Sequence, residues 1–298
     1  MKDLSYSLKT MTAHMGGGAY TTRADRKRGY FLIARELEQV GYGFEHARNL
    51  KPKHVAAMVQ HWQAAKLKPG TIKNRLSWFR RWAAEVGKAG MIPASNAAFG
   101  VPNRPQFKGN RAKFLTPDEL AKVEDDRVRM ALRLQQAFGL RREEALKFRP
   151  AMADKHHGGR IELLPAWCKG GRGRTIPISH PGQRALLEEV HELCGKGSLI
   201  PDEWSYKQAV KHYDNTTRRA GQKNLHGLRH WHAQFRYRRL TGLAAPAAGG
   251  PTEDRMTADQ IRITRAARME ISRELGHGRI DVTDTYLGRR TGGGKAAA

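Results

Sequence analysis

The chain has 298 residues, with 54 Lys and Arg against 28 Asp and Glu, which gives a formal net charge of +26. This length predicts two domains that are each large enough to bury a core, and the 39% hydrophobic content argues against a basic disordered tail. No apolar run is long enough to span a membrane, and the first 25 residues lack a signal-peptide core. The two cysteines have no CxxC spacing, which disfavours a disulfide scaffold and a cysteine-zinc module. The composition predicts a cytoplasmic globular protein with a polyanionic partner.

The basic excess is spread over both halves of the chain. Residues 1–110 hold 19 Lys and Arg against 6 acidic residues, and residues 111–298 hold 35 against 22, so each half carries a net charge of +13. A localisation tail would concentrate this charge at one end. Two basic halves favour a protein that grips a nucleic acid duplex from two sides, although charge alone leaves open a protein that merely associates with RNA.

The N-terminal part of the chain predicts three helices. The first 25 residues include three consecutive glycines and predict an irregular segment. Apolar spacing then predicts helices over residues 26–40, 53–65 and 71–86, with Thr71 as the N-cap of the third. Off the apolar stripe of this third helix, the candidates for phosphate contacts are Lys73, Arg80 and Arg81. An ordinary solvated face is the alternative for a single helix of this kind.

A linker separates two predicted domains. Residues 101–115 contain two prolines, a glycine and several basic residues without helical or strand periodicity, which indicates a linker. The sequence therefore divides into a helical domain at 1–106, a basic linker at 107–115 and a second domain at 116–298.

The second domain predicts a mostly helical fold with two short strands. It opens with Thr116 at an N-cap, a proline after it and Glu119 three residues on, which is a capping box. Residues 241–251 are small and rich in Pro and Gly, and they predict a flexible insertion loop. The predicted helices cover 117–124, 127–138, 142–148, 181–193, 205–220, 227–239 and 257–275, and the strands cover 160–164 and 175–178. The predicted fold class is mostly α with a small antiparallel sheet, an α+β arrangement.

Four segments of the second domain contain side chains that could take part in chemistry. The candidates are Arg141 and Glu144 in FGLRREEAL, Lys169, Arg172 and Arg174 in WCKGGRGRTIPI, His226, Arg229 and His230 in LHGLRHWHA, and His277 and Tyr286 in SRELGHGRIDVTDTYLG. Each segment alone is a weak signal, because an Arg at a helix start is usually a surface residue and a Lys in a Gly-rich turn is usually solvated. Their order and spacing together are informative.

The four segments resemble the boxes of the tyrosine recombinase (phage integrase) family. They read Gly-Leu-Arg-x-x-Glu at 139–144, Lys-Gly-Gly-x-x-Arg at 169–174, His-x-Leu-Arg-His at 226–230, and Leu-Gly-His followed nine residues later by Tyr286. The resemblance implies a SAM-like helical core-binding domain, a tyrosine recombinase catalytic domain, and a C-shaped clamp of the two around duplex DNA.

The resemblance also implies how the phosphodiester is attacked. Tyr286 is the expected nucleophile, which becomes a 3′-phosphotyrosine. Arg141 and Arg229 are expected to hold two non-bridging oxygens, a task that suits the forked guanidinium better than an ammonium group. Lys169 is expected to protonate the departing 5′-oxygen. Arg172 and Arg174, beside Lys169, are expected to contact DNA.

The histidines and the acidic residue of the boxes have expected roles around this centre. His226 is expected to assist proton transfer at the nucleophile, and His277 to hydrogen-bond a phosphate oxygen. Glu144 and His230 are expected to support the site. Since Arg142 is adjacent to Arg141, the choice between these two arginines depends on register.

We expect no metal and no cofactor. His226 and His230 stand four residues apart, like the two zinc ligands of HExxH, but Gly227 replaces the glutamate of that motif and Arg229 would repel a divalent cation. The sequence has no GxxxxGK[ST] loop for a nucleotide, and a phosphotyrosine bond preserves the energy of the broken backbone.

The predicted function is site-specific recombination that integrates or excises a mobile element. Two readings stay open: a type IB topoisomerase-like relaxing enzyme, and a non-catalytic DNA clamp. The expected partners are double-stranded DNA in the nucleoid, three further copies of the chain in a tetramer on paired sites, and an accessory DNA-bending protein; no membrane partner is expected. Two features depart from compact family members. Arg229 and His277 are 48 residues apart, with the excess near 240–256, and the Gly-rich tail after Tyr286 is a poor candidate for exchange between protomers.

Overall fold

The computed structural model describes residues 4–18, 20–43, 46–102, 107, 109–154 and 158–291. The chain divides into two compact units, residues 1–105 and 106–298. The N-terminal unit contains α1 (Leu4–His14), α2 (Tyr20–Gln39), α3 (Pro52–Ala64) and α4 (Pro69–Glu85). The helices described in the C-terminal unit are α5 (Pro117–Ala121), α6 (Asp126–Phe138), α7 (Arg142–Leu146), α8 (Pro150–Ala153), α9 (Pro181–Cys194), α10 (Tyr206–Arg219), α11 (Gly227–Thr241), α12 (Ala258–Glu274) and α13 (Asp284–Leu287), and its strands are β1 (Arg160–Leu163) and β2 (Arg174–Pro177).

The start of the chain differs from the sequence prediction. The prediction of an irregular segment over the first 25 residues was wrong, since α1 and the beginning of α2 lie there. Leu4 and Leu8 are one helical turn apart, and both are buried against the rest of the unit. The fourth helix begins at Pro69 with Lys68 as its N-cap, and Thr71 is already inside it, because Pro69 takes the first helical position.

Aromatic side chains fill the core of the N-terminal unit. Trp82 stacks on Phe79 with ring centroids 5.7 Å apart, and Tyr30 meets Trp82 edge-on at 6.0 Å. Trp62 also packs on Phe79, and its indole nitrogen donates to Glu36 at 2.7 Å. These contacts join α2, α3 and α4, so the apolar stripes read from the sequence are the buried faces of the unit.

The C-terminal unit follows the sequence prediction closely in its regular elements. The capping box is confirmed, with Thr116 accepting from the amide of Glu119 and the Glu119 carboxylate accepting from the amide of Thr116. The two strands form an antiparallel pair with Ile161 opposite Ile176 and Leu163 opposite Arg174. The connection between the strands holds two short 3-10 turns, Pro165–Trp167 and Lys169–Gly171, and is not a tight hairpin.

Two predicted irregular segments pack against the C-terminal unit. Lys113, in the predicted linker, donates its backbone amide to the carbonyl of Gly227 at 3.0 Å and its ammonium to Gln222 at 2.7 Å. Residues 103–106 and 108 of that linker lie outside the described residues. The predicted flexible loop at 241–251 instead closes on itself, with the amide of Gly250 donating to the carbonyl of Ala245, and Ala245 is only 1% exposed.

No helix in the described part of the chain combines the length and the apolar character that crossing a bilayer requires. The Gly-rich tail beyond residue 291, whose role in exchange the sequence disfavours, lies outside the described residues.

Candidate active site

The junction of α6 and α7 presents the first candidate arginine. Gly139 ends α6 in the left-handed conformation, with φ 63°, and a Cβ there would lie 2.6 Å from the ring of His232. The chain then turns sharply, and Arg141 becomes the N-cap of α7. Its guanidinium donates to Glu144 at 2.7 Å and to the carbonyl of Leu275 at 3.3 Å, while 23% of its side chain stays exposed.

The register question between the two adjacent arginines is answered by their contacts. Arg142 points away from this cluster and pairs with Asp214 at 2.7 Å on the surface. Arg141 is therefore the arginine that shares a carboxylate and a carbonyl with the other candidate residues.

Glu144 is the anionic centre of the cluster. Its carboxylate is fully buried and accepts two parallel bonds from Arg174, at 2.9 and 2.8 Å, one from Arg141, and one from the Arg141 amide. Arg229 approaches the same carboxylate at 4.0 Å. Burial alone would raise the pKa of Glu144, but the hydrogen bonds and charge of Arg174, together with Arg229, lower this pKa to about 2. The side chain is thus a permanent anion that orients arginines.

Arg229 is also deeply buried. It is 1% exposed, and its guanidinium donates to the carbonyls of Gly139 and Leu275. Burial lowers the pKa of Arg229 to about 10, which leaves the group charged at neutral pH. Each of its three nitrogens lies within hydrogen-bonding distance of a protein acceptor, and two of these acceptors are backbone carbonyls.

Tyr286, on the short helix α13, lies directly against Arg229 and His277. The tyrosine hydroxyl is 3.4 Å from Nε of Arg229 and 3.3 Å from Nε2 of His277. The same Nε2 atom is 3.3 Å from Nη2 of Arg229. Burial, followed by the charges of Arg229 and Arg141, lowers the pKa of His277 to about 4, so its imidazole is neutral at pH 7. Since the guanidinium can only donate, Nε2 of His277 is an acceptor and the ring proton resides on Nδ1.

The remaining two histidines flank the tyrosine ring. His230 lies with its ring centroid 4.6 Å from that of Tyr286, and His226 lies at 6.1 Å. Burial, with the neighbouring His226 and Arg111, lowers the pKa of His230 to about 4. The pKa of His226 is also lowered, by the surrounding protein and by Arg229, although part of this side chain faces solvent. Both rings lie beside the ring of Tyr286, and the histidine nearest its hydroxyl is His277.

Lys169 and Arg172 lie on the exposed connection between the two strands. Both residues are exposed, and Gly170 and Gly171 between them adopt left-handed backbone conformations that turn the chain. The preceding residue, Cys168, contacts Arg174 at 3.4 Å, which anchors the base of this connection to the arginine cluster.

Three of the residues expected to contact DNA have protein partners in this structure. Arg174 is 6% exposed and its donors go to Glu144, to Cys168 and to the carbonyl of Glu274, so it supports the site from inside. Arg80 donates to the carbonyl of Pro93 and to Asn96, each at 2.9 Å, and forms part of its own unit's structure. Arg81 pairs with Glu85 on the same helix and is partly exposed. Lys73 is half-buried.

Sequence reasoning missed several residues that support the site. The side-chain amide of Gln234 donates to the carbonyl of Tyr286 at 3.0 Å. Arg236 and Glu274 form a buried pair at 2.5 Å that joins α11 to the end of α12. One signal was available in the sequence. Arg236 is seven residues after Arg229 and three after Ala233, which places it on the same face of the helix. If that face is buried, an arginine on it needs a buried carboxylate as its partner. The identity of that carboxylate cannot be read from the sequence.

No group of three or more His, Cys, Asp or Glu side chains in the described ranges is arranged to hold a metal ion.

Comparison with protein-family models identifies the chain. A model described as the N-terminal domain of phage integrase matches residues 1–92, and a model described as integrase matches residues 110–235. The two models follow each other in chain order and match most of the first unit and about two thirds of the second. In the second unit, the carboxylate of Glu144 joins Arg141 and Arg174, and Arg229 connects this cluster to Tyr286. The chain belongs to the tyrosine recombinase family.

Solved structures support the same fold. A dimer of lambda integrase residues 75–356 bound to a COC′ core site superposes with a TM-score of 0.55 at 17% identity, covering 80% of this chain and 91% of that one. The integrase of transposon Tn1549, residues 82–397 in complex with circular intermediate DNA, gives 0.58 at 15% identity, with 98% and 97% covered. No curated protein gives a significant match. The predicted fold class, mostly helical with a small antiparallel sheet, is therefore confirmed for this tyrosine recombinase.

Proposed function

We propose that this tyrosine recombinase cuts and rejoins duplex DNA at specific sites through Tyr286. The observation that carries the proposal is the position of the tyrosine hydroxyl between Arg229 and a neutral His277, at 3.4 and 3.3 Å. A tyrosine held between a cation and a neutral imidazole has what an activated nucleophile needs. In the proposed step the hydroxyl oxygen bonds to phosphorus, the bond to the 5′-oxygen breaks, and a 3′-phosphotyrosine is left.

The proton of Tyr286 is taken by His277 in this proposal. Its Nε2 is the acceptor nearest the hydroxyl, and its pKa of about 4 keeps it unprotonated before the attack. A phosphorane carrying extra negative charge would raise the proton affinity of that imidazole as the reaction proceeds. His226, to which the resemblance assigned this transfer, contacts the ring of Tyr286 instead.

Arg141 and Lys169 act on the phosphate in the proposed reaction. The Arg141 side chain stays partly exposed while Glu144 fixes the direction of its guanidinium, so it offers a preorganised donor to a non-bridging oxygen. Lys169 lies on an exposed turn and supplies the proton to the departing 5′-oxygen. Arg229 contributes charge from beneath the tyrosine.

We propose integration or excision of a mobile element as the biological use, carried out by a homo-tetramer on paired sites with an accessory DNA-bending protein. Supporting this, the two similar structures are integrases bound to a core site and to a transposon's circular intermediate. The two basic halves of the chain, each with a net charge of +13, suit binding to a DNA duplex.

The test is the covalent intermediate. The full-length protein is incubated with a supercoiled plasmid carrying its gene and native flanking DNA, in the presence of EDTA, and the products are run on a denaturing gel. We expect a protein–DNA adduct for the wild type and none for Tyr286→Phe. Tyr20→Phe is the matched control, since Tyr20 is 78% exposed and far outside the cluster in sequence.

The products on that gel separate the alternatives. Recombinant molecules with the adduct support a recombinase, whereas relaxed circles without recombinants indicate a relaxing enzyme. Salt-sensitive DNA binding by the wild type without any adduct would contradict the proposal and favour a non-catalytic clamp.

A further inference from the structure

The segment between α11 and α12 packs against the residues that follow the nucleophile. We call residues 242–256 the insertion and residues 284–290 the tyrosine segment. Ala245 of the insertion is 1% exposed and belongs to the same apolar cluster as Tyr286 and Leu287. Leu243 packs against that cluster from its edge. A segment that the sequence predicted to be a flexible loop thus contributes to the core beneath the tyrosine.

The insertion approaches the tyrosine segment so closely that only glycine fits at the contact. Gly288 has φ 86° and ψ 166°, a conformation that is nearly restricted to glycine. A Cβ at this position would lie 2.5 Å from the backbone nitrogen of Ala247 and 3.1 Å from its Cα. The contact is between backbone atoms of the two segments, so neither segment can shift to accept a side chain without moving the other.

A backbone hydrogen bond closes the contact beyond Gly288. The amide of Glu253 donates to the carbonyl of Arg290 at 2.7 Å. The Glu253 carboxylate accepts two bonds from Arg265 on α12, at 3.0 and 2.7 Å, so the donor is tied to a long helix. The insertion therefore holds the far end of the tyrosine segment to α12.

The two long helices hold the near end. The side-chain amide of Gln234 on α11 donates to the carbonyl of Tyr286 at 3.0 Å. Arg268 on α12, which is 2% exposed, donates to the carbonyl of Gly288 at 3.2 Å and to the Asp284 carboxylate at 3.1 Å. Together with Glu253, these donors reach the carbonyls of residues 286, 288 and 290, every second residue along the segment.

We propose that the insertion is a clamp that keeps Tyr286 docked in the active site of its own chain. The positioning residues are Glu253, through its amide, and Ala247, through its contact with Gly288. The clamp means that each protomer attacks DNA with its own tyrosine, and in this respect the inference rests on the proposed function. The docking itself is a property of the free protein and is testable without DNA.

The first experiment measures the accessibility of Tyr286 in the free full-length protein. Tetranitromethane nitrates exposed tyrosines, and peptide mass spectrometry reports each tyrosine separately. Tyr20, at 78% exposure, serves as the internal standard for Tyr286, at 5%. We expect Tyr286 to react at least about tenfold more slowly than Tyr20 in the wild type, because it reacts only after local opening.

Two variants at one position isolate the clamp. Glu253→Pro removes the amide that bonds Arg290; proline fits there because Glu253 opens a 3-10 turn and Thr252 before it is extended, with φ −94° and ψ 163°. Glu253→Ala keeps the amide and removes the same carboxylate. Both variants lose the pair with Arg265, so we expect the nitration rate of Tyr286 to be about fivefold higher in Glu253→Pro than in Glu253→Ala, as the loss of one hydrogen bond implies. Equal rates in the two variants would overturn the clamp.

The second experiment tests whether the tyrosine acts within its own chain. Tyr286→Phe lacks the nucleophile, and Arg141→Lys lacks the forked phosphate donor, so neither forms the adduct efficiently alone. We expect their mixture on the same plasmid to form no more adduct than the two separate proteins. An adduct restored toward the wild-type amount would place Tyr286 in a neighbouring protomer's site and overturn the assignment. If the wild type itself forms no adduct, the proposed function fails, whereas the nitration rates still decide whether the clamp exists.

Discussion

At the scale of single residues, Glu144 is the side chain on which the arrangement of the arginines depends. It is fully buried, with two of its four partner bonds coming from the forked guanidinium of Arg174. Taking a carboxylate out of water carries a large desolvation cost, which only several well-aligned cationic donors offset. Its pKa of about 2 indicates that those donors more than compensate at neutral pH. Removing its charge would therefore leave guanidinium groups without a counter-charge in a low-dielectric site.

The variant Glu144→Gln tests this dependence. We expect the free energy of unfolding to fall by about 3 kcal/mol or more, since Arg174 and Arg229 would keep buried charges without a counter-charge. Adduct formation should fall with it, because Arg141 loses its orienting partner. Urea unfolding gives the free energy. Glu143→Gln is the matched control on the same helix: Glu143 is 41% exposed and pairs with Lys147, so its loss should cost about 0.5 kcal/mol or less. Equal losses in both variants would contradict the assigned role of Glu144.

The neutral histidines predict a specific acid sensitivity. In the unfolded chain His230 has the ordinary pKa of 6.5, whereas burial lowers the pKa to about 4 in the native protein. Between these values the unfolded state binds more protons, so stability is present above pH 6.5 and is lost as the pH falls toward 4. The replacement His230→Gln removes this titration. We expect the drop in unfolding free energy between pH 7 and pH 4.5 to shrink by about 1–3 kcal/mol.

Chemical denaturation of wild type and His230→Gln at the two pH values measures the difference. An unchanged pH dependence in His230→Gln would mean that the ring is protonated in the native state.

At the scale of elements, the turn between α6 and α7 brings Arg141 and the carbonyl of Gly139 to the site. The left-handed backbone at Gly139 ends one helix, and its carbonyl accepts from Arg229. A methyl group at this position would lie 2.6 Å from the side chain of His232 and 3.0 Å from that of Leu275, and both side chains are buried. Gly139 is therefore required for two reasons: its backbone is left-handed, and there is no space for a side chain.

Comparison of two glycine replacements separates these requirements. Gly242 ends α11 in the left-handed region, with φ 73°, but a Cβ there meets nothing within 4 Å. We expect Gly242→Ala to cost about 1 kcal/mol from backbone strain alone. Gly139→Ala should cost about 2 kcal/mol more, because the added methyl group also displaces buried side chains. Thermal unfolding of both variants measures the difference, and equal losses would show that the packing around Gly139 accommodates the methyl group.

Helices with strong periodicity and good caps were predictable from sequence, whereas contacts between distant segments were not. The α12 helix, predicted at 257–275, spans Ala258–Glu274 because Thr257 supplies a local capping signal. The insertion was predicted as flexible since Ala, Gly and Pro carry no periodic signal. Its order comes from Gly288 and Arg290, more than thirty residues away in the chain. The four boxes contain His226, His230 and His277, but which of these histidines lies nearest the hydroxyl of Tyr286 depends on three-dimensional distances that the sequence does not give.

At the scale of the whole molecule, the formal charge of +26 overstates the charge that faces solvent. Several guanidinium groups serve as internal donors. Those of Arg229 and Arg268 are at most 2% exposed, and those of Arg174 and Arg236 are each 6% exposed, all bonded to carboxylates or carbonyls. Only charges that remain at the surface displace counterions when a polyanion binds. The salt dependence of DNA binding therefore reports which arginines are available.

Two arginine replacements test this distinction in the full-length protein. Arg172 lies exposed on the connection between the strands, whereas the Arg80 guanidinium is bonded to Pro93 and Asn96 within its own unit. We expect Arg172→Gln to weaken binding to duplex DNA of any sequence and to reduce the slope of log K against log salt by about 1. Arg80→Gln should leave that slope within experimental error and instead lower the unfolding free energy by about 1 kcal/mol, through its lost hydrogen bonds.

Fluorescence anisotropy with a labelled random-sequence duplex between about 50 and 200 mM salt gives the slopes for both variants, and urea unfolding gives their free energies of unfolding. A reduced slope in Arg80→Gln would mean that this guanidinium leaves its internal partners for a phosphate when DNA binds.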